Sequence, residues 1–159
     1  MSWCFNRPLT NEIPSSVKFL TFGAEFNQLL YYHSEFEIKR IIPASVTHLT
    51  FGFAFNRNIG KIIQDSDRSL IYSFLPESVT HLYLGGHFYQ QIVIQIDGVH
   101  DSFLPPNLIE LNIDSRFYYQ KLEDGLPISL RKLRFPHFHL IGHAYRNIYD
   151  FTQSNEIWC

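Results

Sequence analysis

The sequence is poor in charge and nearly free of cysteine. Charged side chains make up 18% of its 159 residues, which is low for an ordinary protein surface and predicts that much of the chain faces inward. The only two cysteines, Cys4 and Cys159, lack the paired spacing of a metal site or a redox motif. We therefore expect two free thiols at opposite ends of the molecule.

A long apolar segment is also missing. The longest uncharged run, residues 78–96, contains histidines and glutamines, which exclude a membrane helix. Arg7 and Pro8 stand where a signal peptide would have its apolar segment. These absences favour a soluble, cytoplasmic protein with no membrane partner.

The sequence contains no motif that indicates catalysis. A nucleophile elbow, a phosphate loop, an HExxH motif and paired carboxylates are all absent. The net charge of −2 is too balanced for a protein that coats nucleic acid along its whole length. We therefore expect no enzyme, no catalytic residues, no cofactor and no bound metal.

What the sequence does contain is a repeat. An apolar residue and a proline are followed, at fixed spacing, by an apolar residue, a leucine and another apolar or aromatic residue. The five proline pairs that open the copies are Ile13-Pro14, Ile42-Pro43, Leu75-Pro76, Leu104-Pro105 and Leu126-Pro127. Five copies of one pattern indicate a repeat protein in which stacked units share a core.

Each unit continues with a phenylalanine at its tenth position, usually after a glycine. Phe5-Asn6-Arg7-Pro8-Leu9 repeats this second half ahead of the first full copy. The four later phenylalanines are Phe26, Phe55, Phe88 and Phe117. We expect them to form an aromatic spine capped by Phe5, with the following asparagines satisfying backbone groups of the turns.

These motifs resemble the FNIP repeat, whose signature is nearly Phe5-Asn6-x-Pro8-Leu9. The resemblance covers roughly residues 5–136. It departs where the second proline is absent and where tyrosine replaces asparagine; these positions are Leu29, Asn58, Gln91, Gln120, Tyr89 and Tyr118.

Membership of this family implies an interaction module rather than an enzyme. FNIP-repeat proteins look like a family of social amoebae and of large viruses that infect amoebae, and some carry an F-box. The residues before Phe5 are too few for an F-box. The resemblance thus implies a free-standing substrate-recognition protein, a decoy or a shortened family copy, without an F-box and in the host cytoplasm if the protein is viral.

The spacing inside each copy predicts the architecture. In residues 46–51 the apolar positions are the first, fourth and sixth, the LxxLxL pattern of leucine-rich-repeat strands. We predict a β-rich repeat solenoid, a leucine-rich-repeat-like right-handed coil with a parallel β-sheet on one face and an extended or irregular back side. Residues 46–51, 79–84, 108–113 and 130–135 would be neighbouring parallel strands.

The repeat also divides the chain. The solenoid would span residues 1–136, with a half repeat at 3–9 and units starting near 13, 42, 75, 104 and 126, followed by a C-terminal cap or tail at 137–159. Successive prolines lie 29, 33, 29 and 22 residues apart, so the first three units hold insertions of seven, eleven and seven residues. Ile92, Ile94 and Ile96 alternate with other residues, which predicts a strand that extends a second sheet.

The third and fifth residues of each strand pattern are predicted to point outward. They form two stripes, Phe19, His48, His81, Glu110 and Lys132, and Thr21, Thr50, Tyr83, Asn112 and Arg134. We predict that these ten residues are a concave recognition face for a protein partner, against the alternative of an ordinary solvated sheet face. His48 and His81 would be neighbours, able to bind a metal or to titrate together, although a pair copied by the repeat is the favoured interpretation.

A second hypothesis concerns the C-terminal segment. His137, His139 and His143 follow three basic residues and alternate with aromatic residues, a pattern that could bind an anion or nucleic acid by stacking and charge. The competing interpretation is a cap that covers the last repeat. We expect a monomer with an unidentified protein partner, and regard nucleic acid as the less favoured ligand.

Overall fold

The computed structural model describes residues 4–10, 13–34, 37–65, 68–96, 98–115, 122, 125–134 and 148–150. Every regular element in these ranges is a β-strand. The twelve strands are β1 (Phe19–Thr21), β2 (Tyr31–His33), β3 (Ile38–Arg40), β4 (His48–Thr50), β5 (Gly60–Asp65), β6 (Arg68–Ser73), β7 (His81–Leu84), β8 (Val93–Ile96), β9 (Val99–Ser102), β10 (Glu110–Ile113), β11 (Lys132–Arg134) and β12 (Ile148–Asp150).

One six-stranded sheet runs through all five copies of the repeat. Its order is β1-β4-β7-β10-β11-β12, and its first five strands are parallel and follow chain order. The register aligns the same leucine of each copy, namely Leu20, Leu49, Leu82, Leu111 and Leu133. The predicted repeat solenoid with a parallel sheet is therefore confirmed.

The strands begin two residues later than the pattern predicted. In each copy a turn occupies the preceding residues, as where Val46 N donates to Pro43 O at 3.1 Å. Two successive N–H groups then share one carbonyl of the previous unit: Thr47 N and His48 N both donate to Lys18 O, at 2.9 and 3.0 Å. The regular ladder of hydrogen bonds between strands begins only after this shared carbonyl. The strand therefore starts at the third residue of the LxxLxL pattern, which is His48 in this copy.

Burial alternates along these strands, as expected for a sheet with one buried face. In β7 and β10 the first and third residues are partly exposed, whereas the second and fourth are buried. The inward residues join one apolar core that includes the phenylalanines of the repeat. The leucines of the pattern therefore build the core, and the residues between them face away from it.

The last strand closes one edge of the sheet in the opposite direction. β12 pairs with β11 in antiparallel register, with Lys132 opposite Asp150 and Leu133 opposite Tyr149. Ile148–Asp150 contains no copy of the repeat, so the pattern could not predict this strand. It belongs to the segment for which we predicted a cap or tail.

The three insertions are β-hairpins that do not join the parallel sheet. β2–β3, β5–β6 and β8–β9 each form a separate two-stranded antiparallel sheet. The strand predicted around Ile94 is present, but it pairs with β9 in a two-stranded sheet of its own and does not extend a larger second sheet. Each hairpin pairs only with itself, and neighbouring hairpins meet through side chains, as where Arg40 Nε donates to Ser73 O at 2.8 Å.

The predicted aromatic spine is confirmed as far as Phe88. Ring centroids of Phe5 and Phe26 lie 6.1 Å apart, those of Phe26 and Phe55 6.4 Å, and those of Phe55 and Phe88 6.1 Å, all nearly parallel. Phe22 and Phe51 stack on this column from the strand side. Phe117, the remaining predicted member, lies outside the described residues.

The asparagines after the spine form a ladder between units. Asn6 Oδ1 accepts from Asn27 N at 2.9 Å, Asn27 Oδ1 from Asn56 N at 3.0 Å, and Asn56 Oδ1 from Tyr89 N at 3.2 Å. Each side chain thus satisfies the equivalent N–H of the next unit, the role expected for an asparagine in a stacked turn. The side chain of Tyr89 carries no amide group, so it cannot continue this ladder.

Candidate interaction face

All ten residues of the predicted recognition face lie in two rows across the parallel sheet. Register places Phe19, His48, His81, Glu110 and Lys132 side by side in one row, and Thr21, Thr50, Tyr83, Asn112 and Arg134 in the other. Phe19 and Thr21 are exposed and the other eight are half-buried. We call these ten residues the sheet face.

The first row begins with three rings in contact. Phe19, 73% exposed, lies with its ring centroid 4.5 Å from that of His48, and His48 stacks on His81 at 4.2 Å with only 7° between planes. The parallel register holds these rings at adjacent positions, so the strip is formed without any partner. Three rings thus form a continuous aromatic strip along the first row of the sheet face.

Each histidine is held by the threonine that precedes it. Thr47 Oγ1 lies 3.0 Å from His48 Nδ1, and Thr80 Oγ1 lies 2.9 Å from His81 Nδ1. The same hydroxyls lie 3.2 Å from carbonyl oxygens of the previous unit, those of Lys18 and Thr47 respectively. The threonines thereby fix the orientation of both rings.

The pKa of His81 is lowered from its usual value, chiefly because burial disfavours the charged ring. Repulsion from His48 and Lys132 acts in the same direction, whereas attraction to Glu110 opposes it. The surroundings of His81 therefore favour its neutral form.

In the second row Tyr83 is tied to the sheet by a hydrogen bond. Its hydroxyl donates to Asp114 Oδ2 at 2.8 Å. Burial, followed by this bond and the carboxylate charge, raises the pKa of Tyr83 to about 12. Tyr83 points away from the core as predicted, but it is anchored rather than free.

The charged end of the face is an ion-pair cluster. Lys132 Nζ lies 3.4 Å from Glu110 Oε2, and Arg134 Nε lies 3.8 Å from Glu110 Oε1. One carboxylate thus balances part of the charge of two cations. Such partly exposed pairs contribute about 0 to 1 kcal/mol each to stability, so the cluster is not needed to hold the fold.

Between these groups the face contains an open depression of about 160 Å³. Its lining comprises His48, Leu49, Thr50, His81, Leu82, Tyr83, Glu110 and Asn112. The side-chain oxygen of Asn112 is buried there and has no hydrogen-bond donor among the described residues.

Sequence reasoning missed three contributors to this site: Thr47, Thr80 and Asp114. The Thr-His pair occurs in two successive copies, and this repetition could have indicated a joint role. Asp114 replaces the glycine that the earlier copies have after the strand. That departure from the repeat was the available indication of a side-chain function.

The structure describes only some of the other groups that the sequence analysis considered, namely metal ligands, membrane helices, cysteines and the C-terminal histidines. No three His, Cys, Asp or Glu side chains of the described ranges cluster as metal ligands would. No helix in those ranges is long and apolar enough to cross a bilayer. Cys4 is exposed; Cys159 and the three C-terminal histidines lie outside the described residues.

Comparison with known proteins supports the family resemblance. Residues 5–34 match the model of the FNIP Repeat. The matched segment begins at Phe5 of the aromatic spine and extends through Asn27 into the first hairpin, so it includes both halves of the pattern.

The chain also resembles a solved structure. CroV588, a circular leucine-rich-repeat protein from a giant virus, matches with a TM-score of 0.61 and 31% sequence identity over 84% of the chain. The match spans 16% of the length of CroV588. No match to a curated protein is found.

Proposed function

We propose that this FNIP-repeat chain is a non-enzymatic protein-interaction module that binds a partner protein through its sheet face. We further propose that it does so as a monomer in the cytoplasm, which would be the host cytoplasm if the protein is viral. The observation that carries the proposal is the exposed Phe19, which continues into the His48–His81 stack.

Two physical arguments support the sheet face as the binding surface. The outward side chains leave core packing to the alternate residues, so they are available for contacts with a partner. Large exposed aromatic residues supply much of the energy of protein interfaces. Because the rings are already stacked, binding orders few additional side chains, which lowers the entropic cost.

The size of the depression favours a macromolecular partner over a small ligand. Pockets for small molecules usually enclose about 300 to 1,000 Å³. The depression on the sheet face is about 160 Å³ and open. It can receive one side chain of a larger partner while the surrounding face contacts the rest.

The charge distribution weakens the anion-binding alternative. Lys132 and Arg134, two cations of the basic C-terminal segment, already lie beside Glu110. A phosphate would have to compete with this carboxylate. If binding nevertheless depends on phosphate contacts, affinity should fall steeply with salt and capture should be lost after nuclease treatment.

The test is capture from an amoebal lysate with matched phenylalanine variants. Phe19→Ala removes the exposed ring of the sheet face. Phe53→Ala removes a ring that is 58% exposed but lies in the turn after β4, outside the face. We expect the first variant to lose the partner and the second to retain it, with nuclease having no effect.

The identity of the captured protein does not by itself show which surface of the chain binds it. A photo-crosslinking residue at Thr21, beside Phe19 on the face, should link to that protein, whereas the same residue at Glu25 should not. Equal capture by the two alanine variants, or crosslinking only from Glu25, would refute the sheet face as the binding surface.

A further inference from the structure

A second open cavity, of about 240 Å³, lies where the first two hairpins begin, beside the asparagine ladder. Three successive units contribute to its lining, which includes Tyr31, Asn56, Arg57, Lys61, Phe74 and Gln90. No lining residue belongs to the sheet face. The cavity is therefore a separate site, and an inference about it does not rest on the proposed function.

The cavity holds two positive charges and no negative one. Arg57 and Lys61 line it, whereas no aspartate or glutamate does. Neither cation takes part in the ion pairs of the described residues, which lie on the first hairpin and in the Glu110 cluster. Unlike the cations of the sheet face, these two have no carboxylate for a bound anion to displace.

The guanidinium of Arg57 is held in place by the preceding unit. Its Nε donates to Asn27 O at 2.9 Å, whereas its two terminal nitrogens have no acceptor among the described residues. An arginine anchored through Nε keeps the paired N–H groups at its end for a ligand. Such a pair binds an oxyanion through two parallel hydrogen bonds.

The repeat shows that the fold does not need the charge of Arg57. The units on either side carry glutamine at the same position, two residues after the spine phenylalanine. Gln28 Nε2 donates to Asn6 O at 3.2 Å, and Gln90 Nε2 donates to Asn56 Oδ1 at 2.9 Å. A neutral amide is thus sufficient to contact the preceding unit, and the guanidinium adds charge and further donors.

The amide of Asn56 supplies another donor group. Asn56 Oδ1 accepts from Tyr89 N at 3.2 Å and from Gln90 Nε2 at 2.9 Å. Because a backbone N–H can only donate, the ladder fixes which end of this amide is the oxygen. Its Nδ2 group therefore keeps its N–H donors, which have no acceptor among the described residues.

The cavity is small and has one aromatic wall. The ring of Tyr31 stacks on the buried ring of Phe74, with centroids 4.4 Å apart. A wall of low polarity strengthens the interactions of charges beside it. Pockets that enclose whole small molecules usually hold about 300 to 1,000 Å³, so this cavity suits a single charged group.

We propose that this cavity binds a phosphate monoester group. Such a group carries a charge of about −1.5 to −2 at neutral pH, which matches the two cations. A carboxylate, or the phosphodiester of a nucleic acid, has a single negative charge and would leave one cation without a counter-ion. The oxygens of the monoester accept from the fork of Arg57, the ammonium of Lys61 and the amide of Asn56 together.

Binding is tested by titrating the full chain with N-acetyl-O-phosphoserine N-methylamide in ¹H–¹⁵N spectra. The Nε signal of Arg57 and the Nδ2 signals of Asn56 should shift together and saturate. The glutamate analogue has a single charge and should bind about tenfold more weakly, since it forms fewer charge-assisted bonds. Equal or tighter binding of the glutamate analogue would overturn the proposal.

A matched pair of esters tests the charge of the ligand. Methyl phosphate is a monoester and should give the same saturable shifts, whereas dimethyl phosphate, a diester like the backbone of a nucleic acid, should bind about tenfold more weakly. Tighter binding of dimethyl phosphate would refute the match of charges.

The same titrations separate the two sources of a phosphate monoester. Tighter binding of the phosphoserine analogue than of methyl phosphate would identify a phosphorylated side chain as the source. Equal affinities would mean that the phosphate alone is recognised, as for a small phosphate ester. Both results support the site.

Variants of the two cations complete the test. Arg57→Gln gives the second unit the residue of its neighbours, so the melting temperature should stay close to that of the parent chain while phosphoserine-analogue binding weakens at least about tenfold. Lys61→Gln should weaken binding to a similar extent. Lys18→Gln, at an exposed lysine outside the cavity, is the control and should bind as the parent chain does. Unchanged binding by a folded Arg57→Gln protein would refute the site.

Discussion

The Phe55→Ala substitution tests the stacked core most directly. Phe55 is fully buried, lies 6.4 and 6.1 Å from Phe26 and Phe88 along the spine, and stacks on Phe51 at 3.9 Å. Truncation of a buried phenylalanine costs about 3 to 5 kcal/mol. Each aromatic contact adds about 0.5 to 1.5 kcal/mol beyond burial, so we expect the upper part of that range.

The assay is equilibrium urea unfolding followed by circular dichroism, with thermal melting alongside. For a chain of this size a loss of 1 kcal/mol lowers the melting temperature by about 2 to 4 °C, so Phe55→Ala should lower it by at least about 10 °C. Phe53→Ala is the matched control, because its ring is 58% exposed, and it should shift stability by no more than about 0.5 kcal/mol. Equal effects of the two variants would refute the spine as the main source of cohesion between units.

Three further predictions concern single groups. Because burial, followed by the hydrogen bond to Asp114, raises the pKa of Tyr83 to about 12 in the folded chain, the folded protein should lose stability between about pH 10 and 12 as Tyr83 ionises; Tyr83→Phe should flatten that part of the stability profile measured by urea unfolding. The pKa of His81 is lowered, so its contribution should be present above about pH 6.5 and decline as the pH falls below that value; His81→Gln should remove the decline, and an unchanged profile would contradict the burial of the ring. Gly85→Ala should unfold most of the chain at 25 °C by circular dichroism, since its added Cβ would lie 2.2 Å from Gly52 O of the neighbouring unit; a stable, native-like variant would show that the units can separate without cost.

The repeat in the sequence was sufficient to predict the parallel sheet and the spine. Both depend on positions that recur in every copy, such as Leu49 and Phe55, and recurrence identifies a shared environment without any knowledge of three-dimensional structure. The hairpins were predicted only as insertions. Residues 60–73 have no counterpart in the shortest unit, so the pattern contained no information on how they pair.

The chemistry of the sheet face could be predicted only coarsely. Register places His48 beside His81, and the sequence anticipated this contact. The orientation of each histidine ring depends on its contact with the preceding threonine, and the hydrogen bond between Tyr83 and Asp114 depends on a side chain that replaces the repeat glycine. Neither can be read from a periodic pattern, because both arise where one copy differs from the others or where two copies meet.

The hairpins leave the parallel sheet undisturbed because each is closed by one equivalent backbone bond. Ile41 N donates to Leu30 O, Phe74 N to Ile59 O and Phe103 N to Ile92 O, at 3.1, 2.8 and 2.9 Å. Everything beyond that bond can be lengthened or shortened while the two ends stay a fixed distance apart. The entropic cost of a longer closed loop rises slowly, by about 0.6 kcal/mol for each doubling. Each of the first three units therefore offers one position at which foreign sequence can be inserted, and the three positions lie in a row at the spacing of the repeat.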